Sequence, residues 1–337
     1  MSQPAILVAS LGANKPSTRL RIAPLAERLQ QRGWRVTART VTNSLAGRIG
    51  LLYDAGRHDL VLLQKKLFPA AYVSLLRRAN PRLLFDADDA IMFHELERNE
   101  PVTGRYFQRF AAISAASCAV VAGNRFVADF ARAARTRDGQ NDVETLPTPI
   151  DTNRLTAKPA EAAGEGFVVG WIGTKGNLYQ LAPLADALRE VQAQVPGMRL
   201  RVIADGTPEL PGITVESQPW RHATETADLH GFDVGIMPLA DTLWNRGKGG
   251  FKLLQYMAAG LPAIASPVGI NADIVRHGDN GFLAADSAAW RDALLALAAD
   301  AELRRRVGAA ARRTIEGGYS VERYLDNYVD LIERCLK

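Results

Sequence analysis

The stretch "NRGKGGFKLLQYMAAGLPAIASPVG", residues 245–269, decides the fold, because it joins a basic, glycine-rich turn to an apolar helix and then to a strand. The segment before it, "VGIMPLAD" (234–241), has the pattern of a buried strand. Strand, turn, helix and strand in this order form the repeating unit of a parallel sheet. The stretch therefore predicts an α/β domain whose ligands lie where strands end and helices begin.

The same alternation extends through most of the chain. It begins with "AILVAS" (5–10), breaks in the proline-rich and small-residue stretch 146–166, and restarts with "FVVGWIGTKG" (167–176). Such a break is typical of an interdomain connection. We therefore predict two Rossmann-like, doubly wound domains, the first over 1–155 and the second over 156–318, with a final helix over 319–337.

Length and composition agree with two domains, since 337 residues with 47% hydrophobic side chains can form two cores. No uncharged apolar run of about 18 residues and no basic segment before the first apolar run are found, which predicts a cytoplasmic protein. Cys118 and Cys335 are far apart and lack neighbouring histidines. They are interpreted as plain thiols rather than a disulfide framework or a zinc site.

The charge is distributed unevenly. Residues 1–150 carry 21 Lys and Arg against 13 Asp and Glu, whereas residues 151–337 carry 20 against 23. A basic first half fits either a solvated, arginine-rich surface or an anionic partner such as phosphate or a lipid headgroup. A peripheral contact with the inner face of an anionic membrane is therefore a hypothesis. Nucleic acid is not expected, because the basic half lacks a series of aromatic residues for base stacking.

The turn at 246–250 has the features of an anion site. Gly249 and Gly250 leave the backbone open to a ligand, and the first free amides of the helix follow from about Phe251. Lys248 and Arg246 add positive charge, so a diphosphate fits better than a single carboxylate. A capped, solvated helix start is the alternative.

A second turn of this kind follows another strand, in "GWIGTKGN" (170–177), through Gly173, Lys175 and Gly176. Neither turn has the glycine spacing of a dinucleotide-binding fingerprint or of a P-loop. The expected ligand is therefore a nucleoside diphosphate that carries a large group.

These two stretches, "GWIGTKGNLYQL" and the run from Gly247 to Asp286, resemble the nucleotide-sugar domain of retaining GT-B glycosyltransferases, family 4 in particular. The first half is similar more loosely, through "STRLRI", "FDADDA" and "VVAGNRFVADFA". The resemblance implies two domains facing across a cleft, with the acceptor on the first, the donor on the second and the last helix crossing back. It implies retaining, metal-independent transfer from a nucleoside diphosphate sugar to a saccharide or lipid-linked acceptor, in bacterial cell-surface polysaccharide or glycolipid synthesis.

The residues that bind the donor in that family are matched only in part. Its two glutamates, separated by seven residues, fall on Gly247 and Gln255, so neither carboxylate is present. Gln255 can still bind a ribose diol, and Asp241, Asn245 or backbone amides are the candidates for holding the sugar. The family's two basic phosphate-binding residues correspond best to Lys175 and Lys248, which would stabilise the departing diphosphate.

In the first half, "FDADDA" ends a strand with Asp86, Asp88 and Asp89. Three interpretations stay open: a D-x-D metal site, carboxylates that orient the acceptor hydroxyl, or caps of the next segment. We expect no metal and assign Asp88 a catalytic role, with Asp86 and Asp89 at the acceptor. Further acceptor candidates follow the first strand, where the alternative is an ordinary basic helix start: Lys15, Ser17, Arg19 and Arg21.

Other features have weaker functional interpretations. His94 is a candidate for the cleft or a surface residue, and the helix at 67–79 lies either on a bilayer or inside the domain. Trp220 and Trp244 are candidates for stacking on the base or for packing. Two alternatives to a glycosyltransferase remain, a nucleotide-sugar epimerase and a non-catalytic nucleotide-sugar-binding protein.

Overall fold

The computed structural model describes residues 3–93, 104–135, 142–159 and 166–337. The chain forms two compact units. Unit 1 consists of Met1–Pro149, Thr242–Gly249 and Val321–Lys337, and unit 2 of Ile150–Asp241 and Gly250–Ser320. The structural division after Pro149 differs from the sequence-based one after residue 155. The segment Thr242–Gly249, expected in the second domain, belongs to unit 1.

Unit 1 contains a six-stranded parallel sheet in the order β2-β1-β3-β4-β5-β6. Its strands are β1 Ala5–Ser10, β2 Arg35–Thr40, β3 Leu60–Gln64, β4 Leu83–Ala87, β5 Ala119–Ala122 and β6 Val143–Thr145. The helices between them are α1 Ala23–Gln31, α2 Leu45–Ala55, α3 Ala70–Ala79, α4 Arg105–Ala116 and α5 Arg125–Ala134. Strands β1, β3, β4 and β5 are buried along their whole length, as strands covered on both faces must be.

Unit 2 contains a second six-stranded parallel sheet, in the order β12-β11-β10-β7-β8-β9. Its strands are β7 Val168–Ile172, β8 Arg199–Ile203, β9 Val215–Gln218, β10 Val234–Met237, β11 Ala263–Ala265 and β12 Phe282–Leu283. The remaining helices are α6 Ala185–Gln194, α7 Glu225–His230, α8 Leu243–Arg246, α9 Phe251–Ala258, α10 Ile270–Ile274, α11 Ser287–Ala299, α12 Ala301–Gly318 and α13 Val321–Leu336. The two sheets with alternating helices confirm the predicted fold class.

Helices α1 and α6 are each preceded by a helical segment that is not α-helical. A π-helical turn, Thr18–Ile22, precedes α1. A 3₁₀ stretch, Lys175–Leu184, precedes α6 and contains Pro183, which cannot donate a backbone hydrogen bond. Helix α2 was not predicted, because it exposes apolar side chains that a surface helix normally buries.

The helix predicted at 67–79 is an internal one. Phe68, Tyr72, Val73 and Leu76 are buried in the core of unit 1, so its apolar face is already covered. None of the described helices combines the length and the apolarity needed to cross a bilayer.

Helix α13 belongs to unit 1. Tyr324, Tyr328 and Ile332 lie in the same core cluster as Ile6 and Leu62 of strands β1 and β3.

Candidate functional site

The strand order of unit 2 reverses between the neighbouring strands β7 and β10. From β7 the chain continues to β8 on one side, and from β10 it continues to β11 on the other side. Ligands of open α/β sheets bind beyond the carboxyl ends of strands at such a switch point. Tyr256 ties the two strands together here: its Oη accepts from the Ile172 amide (3.0 Å) and donates to the Ile236 carbonyl (3.3 Å). The predicted turn at 173–176 follows β7 at this point.

Close packing requires glycine at two positions of the switch point of unit 2. Gly250, directly before α9, has φ +67, and a Cβ there would lie 2.8 Å from Ile270 Cγ2. A Cβ on Gly173 would lie 2.4 Å from the indole of Trp171. Helix α9 begins at Phe251, where the sequence places it, so its first amides follow a residue without a side chain.

Two lysines supply positive charge in unit 2. Lys175 is exposed and opens the 3₁₀ stretch. Lys252 was missed by the sequence analysis: its Nζ lies 5.1 Å from the centroid of the Trp171 ring, and its Cε lies 2.6 Å from the position of a Cβ on Gly173. The signal that could have found it is a lysine in the first turn of the helix that follows the glycines.

Gln255, the predicted ribose ligand, is buried in α9. Its Nε2 donates to Glu225 Oε1 (2.8 Å), which also accepts from Trp220 Nε1 (3.0 Å). Arg154 pairs with the other oxygen of Glu225 at 2.6 Å. A ribose contact at Gln255 would therefore replace a buried hydrogen bond, and Trp220 serves this cluster and the core beside it.

The predicted donor residues divide between the two units. Unit 2 holds Gly173, Lys175, exposed Asp241, Gly250, Phe251 and Gln255; unit 1 holds Asn245, Arg246, Lys248 and Gly249. Asn124, the N-cap of α5, fixes the segment Thr242–Gly249, since its Nδ2 lies 3.0 Å from the carbonyl oxygens of both Arg246 and Lys248. Asn245 is buried, and Trp244 packs against the core of unit 1.

Gly247, at the position of the family's first glutamate, is required by close packing. A Cβ on Gly247 would lie 2.0 Å from the Cβ of Ala90 and 2.8 Å from its backbone nitrogen. A Cβ on Gly123 would lie 2.1 Å from the carbonyl oxygen of Asp88, so the chain is equally tight on that side. Any larger side chain at 247 requires this part of unit 1 to move.

A charged cluster lies at the carboxyl ends of β3 and β4 in unit 1. The Nζ atom of Lys65 is 2.9 Å from Asp88 Oδ1 and 2.5 Å from Asp89 Oδ2. The backbone of Lys65 has φ +51, a left-handed conformation that is unusual for a non-glycine residue, and its amide donates to the Asp86 carbonyl (2.8 Å). Sequence analysis missed Lys65, although a lysine directly after a buried strand is a usable signal.

The pKa values of the two carboxylates in this cluster are shifted in opposite directions. Burial, with the negative charge of Asp89 beside it, raises the pKa of Asp88 to about 6, although Lys65 and Arg21 act in the opposite direction. Burial also acts to raise the pKa of Asp89, but the ammonium of Lys65, with a smaller contribution from Lys248, outweighs it and lowers that pKa. Asp88 is therefore the carboxylate of this cluster whose pKa is raised toward neutrality.

Arg21 and Asp86 do not offer a surface to an acceptor, which corrects their predicted role. Both are fully buried, and Arg21 Nη2 lies 2.8 Å from Asp86 Oδ2. Arg21 also donates to the Leu146 carbonyl (2.8 Å), and Tyr328 Oη of α13 donates to Asp86 Oδ2 (3.1 Å). The π-helical turn directs Arg21 into the core, where burial closes the pair to a ligand.

The other acceptor candidates remain at the carboxyl end of β1. Lys15 and Arg19 are exposed and Ser17 is half-buried, while neighbouring Thr18 donates to Gln64 Oε1 at the end of β3 (2.7 Å). The strand order reverses between β1 and β3, so this is the switch point of unit 1. His94 lies outside the described residues.

The two carboxylates of the D-x-D pair have different cation partners. Asp86 pairs with Arg21 and Asp88 with Lys65, so each carboxylate is already neutralised by a separate cation. Among the described residues, no group of three or more His, Cys, Asp or Glu side chains is arranged to hold a metal ion.

Comparisons with known proteins find sequence likeness over part of the chain. Residues 166–300 match the family model of glycosyl transferases group 1. The N-acetyl-alpha-D-glucosaminyl L-malate synthase of Bacillus anthracis is 33% identical over 81 residues, a match that spans 23% of this chain and only 21% of that protein.

Solved structures extend the likeness over the whole chain. HepE of Anabaena, in complex with UDP and glucose, has a TM-score of 0.70 at 14% identity, covering 98% of this chain and 100% of that chain. The sucrose-phosphate synthase of Thermosynechococcus elongatus has a TM-score of 0.71 at 15% identity, covering 98% and 99%. These structures support the two-domain GT-B fold of the chain, and the family model relates residues 166–300 to glycosyl transferases group 1.

Proposed function

We propose that the protein transfers a glycosyl group, with retention of configuration, from a nucleoside diphosphate sugar to an acceptor hydroxyl. The observation that carries the proposal is the switch point of unit 2, where the start of α9 and the lysines Lys175 and Lys252 occur together with Gly176, at which a Cβ would meet nothing within 4 Å. Amides and ammonium groups suit a diphosphate. The UDP in the HepE structure favours a uridine nucleotide as the first donor to test.

In this proposal the donor residues act on the leaving group. Breaking the bond between the anomeric carbon and the phosphate oxygen transfers negative charge to the diphosphate, and fixed cations and amides stabilise that charge. Lys175 and the start of α9 provide them in unit 2, with Lys252 as an added candidate. Lys248 keeps its proposed role as a further cation.

Unit 1 would position the acceptor. Asp88 and Asp89, held by Lys65, orient the attacking hydroxyl, and Asp88 accepts its proton when ionised. Lys15, Ser17 and Arg19 would contact an anionic group on a saccharide or lipid-linked acceptor. We assign the reaction no metal and place it in cell-surface polysaccharide or glycolipid synthesis, in the cytoplasm at the inner face of the membrane.

A non-catalytic nucleotide-sugar-binding protein is the second candidate, because Gly247 has no room for the family's glutamate and Gln255 is held by Glu225. Release of free nucleoside diphosphate only when an acceptor is present supports the transferase. Nuclear magnetic resonance of the product's anomeric proton then tests retention. Tight binding of the nucleotide sugar, with no acceptor-dependent release across a panel of saccharide and lipid-linked acceptors, would favour the second candidate.

A further inference from the structure

Helix α2 exposes an apolar stripe. Leu45, Ile49 and Tyr53 are 75%, 58% and 63% exposed, and their spacing of four residues places them on one side of the helix. Leu75 of the neighbouring helix α3 is 47% exposed. We call these four residues the α2 face. The one other large hydrophobic residue with comparable exposure in the described part of the chain is Tyr179, in unit 2.

The α2 face is not required to hold the helix in place. The opposite side of α2 buries Leu51 and Ala55 in the core of unit 1. Ser44 caps the helix by accepting from the Gly47 amide (3.1 Å), and Tyr72 of α3 donates to the Arg48 carbonyl (2.7 Å). Helix α2 is thus held in unit 1 by contacts that do not involve the exposed stripe.

The chain around the α2 face is strongly basic. Residues 39–82, all of them described, carry eight basic and two acidic side chains. The acidic ones are occupied, since Asp54 pairs with Arg39 and Asp59 accepts from the Ala5 amide (2.7 Å). Partial burial, with the positive charge of nearby Arg48, lowers the pKa of Lys66. Lys65 is paired with Asp88 and Asp89, and Arg39 with Asp54, so the remaining six basic residues of this segment carry its excess positive charge.

We propose that the α2 face, with its surrounding cations, docks on an anionic lipid bilayer. Apolar side chains on one side of a helix enter the boundary between headgroups and acyl chains, while nearby lysines and arginines contact anionic headgroups. A second copy of the chain fits less well, because a two-fold contact would oppose one basic face to another. The docking surface is α2, whereas the sequence pointed to 67–79, whose apolar residues are mainly buried.

The test is co-sedimentation of the purified full chain with phosphatidylcholine vesicles, with and without phosphatidylglycerol. We expect binding to the anionic vesicles that weakens as salt is added. The double variant Leu45→Ser/Ile49→Ser should reduce binding at least tenfold without changing the melting temperature, because both side chains are exposed. Tyr179→Ser, an exposed apolar residue of unit 2, is the matched control and should bind as the unchanged protein does.

The cations are tested separately with Lys66→Gln and Arg78→Gln, each of which should weaken vesicle binding by about fivefold. Equal binding to neutral and anionic vesicles, or no loss in the Leu45→Ser/Ile49→Ser variant, would overturn the proposal. Light scattering after size exclusion tests whether the α2 face binds a second copy of the chain instead. A concentration-dependent dimer that the Leu45→Ser/Ile49→Ser variant abolishes, together with no vesicle binding, would assign the α2 face to that second copy. These measurements need no catalysis, so they stand or fall independently of the proposed reaction.

Discussion

The switch points of the two units differ in how their charges are held. In unit 2, Lys175 is exposed beside Gly176, where a Cβ would meet nothing within 4 Å. In unit 1, Lys65 is largely buried between Asp88 and Asp89. An exposed cation can take up an incoming phosphate, whereas a buried lysine shared by two carboxylates acts through its geometry and through its effect on their pKa values. The same sheet architecture thus places an exposed lysine at the proposed anion site of unit 2 and a buried lysine between two carboxylates in unit 1.

The largest expected effect tests the anion site. Lys175→Ala should lower turnover by on the order of 100-fold while the protein stays folded, because the cation acts mainly on the charge that develops on the leaving diphosphate. Lys248→Ala, in unit 1, should show a similar loss if it serves the same phosphate. Steady-state kinetics with Lys337→Ala as the control measure both. If either variant turns over as fast as the unchanged protein, the lysine replaced in it has no role in the mechanism.

The packing of unit 1 is tested by restoring the family's glutamate. Gly247→Glu should destabilise the protein by about 1–3 kcal/mol, because the new side chain meets Ala90. Adding Ala90→Gly should recover part of the loss in a denaturant titration. Gly318→Ala, where a Cβ meets nothing within 4 Å, is the control. A Gly247→Glu protein with unchanged stability would show that the segment Thr242–Gly249 is not tightly packed in solution.

The cluster of unit 1 predicts a pH dependence. If ionised Asp88 accepts the hydroxyl proton, activity should fall as the pH drops through about 6, the pKa of that carboxyl. Lys65→Met removes a charge that lowers this pKa, so the acid limb of kcat/KM should move to higher pH, and Lys65→Arg should restore it. An acid limb that is identical in all three proteins would indicate that Asp88 does not titrate in catalysis.

The smallest expected effect concerns metals. A chelator should leave turnover unchanged, because lysines and helix amides are proposed to neutralise the diphosphate and Asp86 and Asp88 are each paired with a cation. Activity lost to EDTA and restored by Mn²⁺ or Mg²⁺ would contradict the proposal and return these two carboxylates to the centre of the mechanism.

The fold could be predicted from the sequence because strands buried on both faces appear as apolar runs, such as Ala5–Ser10 and Val168–Ile172. The start of α9 after its glycines was predictable for the same local reason. Contacts between residues that are distant in the sequence could not be predicted. Arg21 looked like a surface cation until a π-helical turn directed it toward Asp86, and Lys65 became notable only once β3 and β4 were neighbours. The segment Thr242–Gly249 follows a strand of unit 2 in sequence, yet Asn124 holds it in unit 1.

The buried pair of Arg21 and Asp86 also determines the order in which the protein can be completed during synthesis. Tyr328, which donates to Asp86, is made 242 residues after it, and Tyr324, which donates to the Arg21 carbonyl, 303 residues after that arginine. Until α13 leaves the ribosome, this part of the first sheet lacks its cover, and two charges destined for the core remain exposed to water. The unit that is translated first is therefore finished last, and nascent chains that end before α13 are the ones a chaperone would be expected to hold.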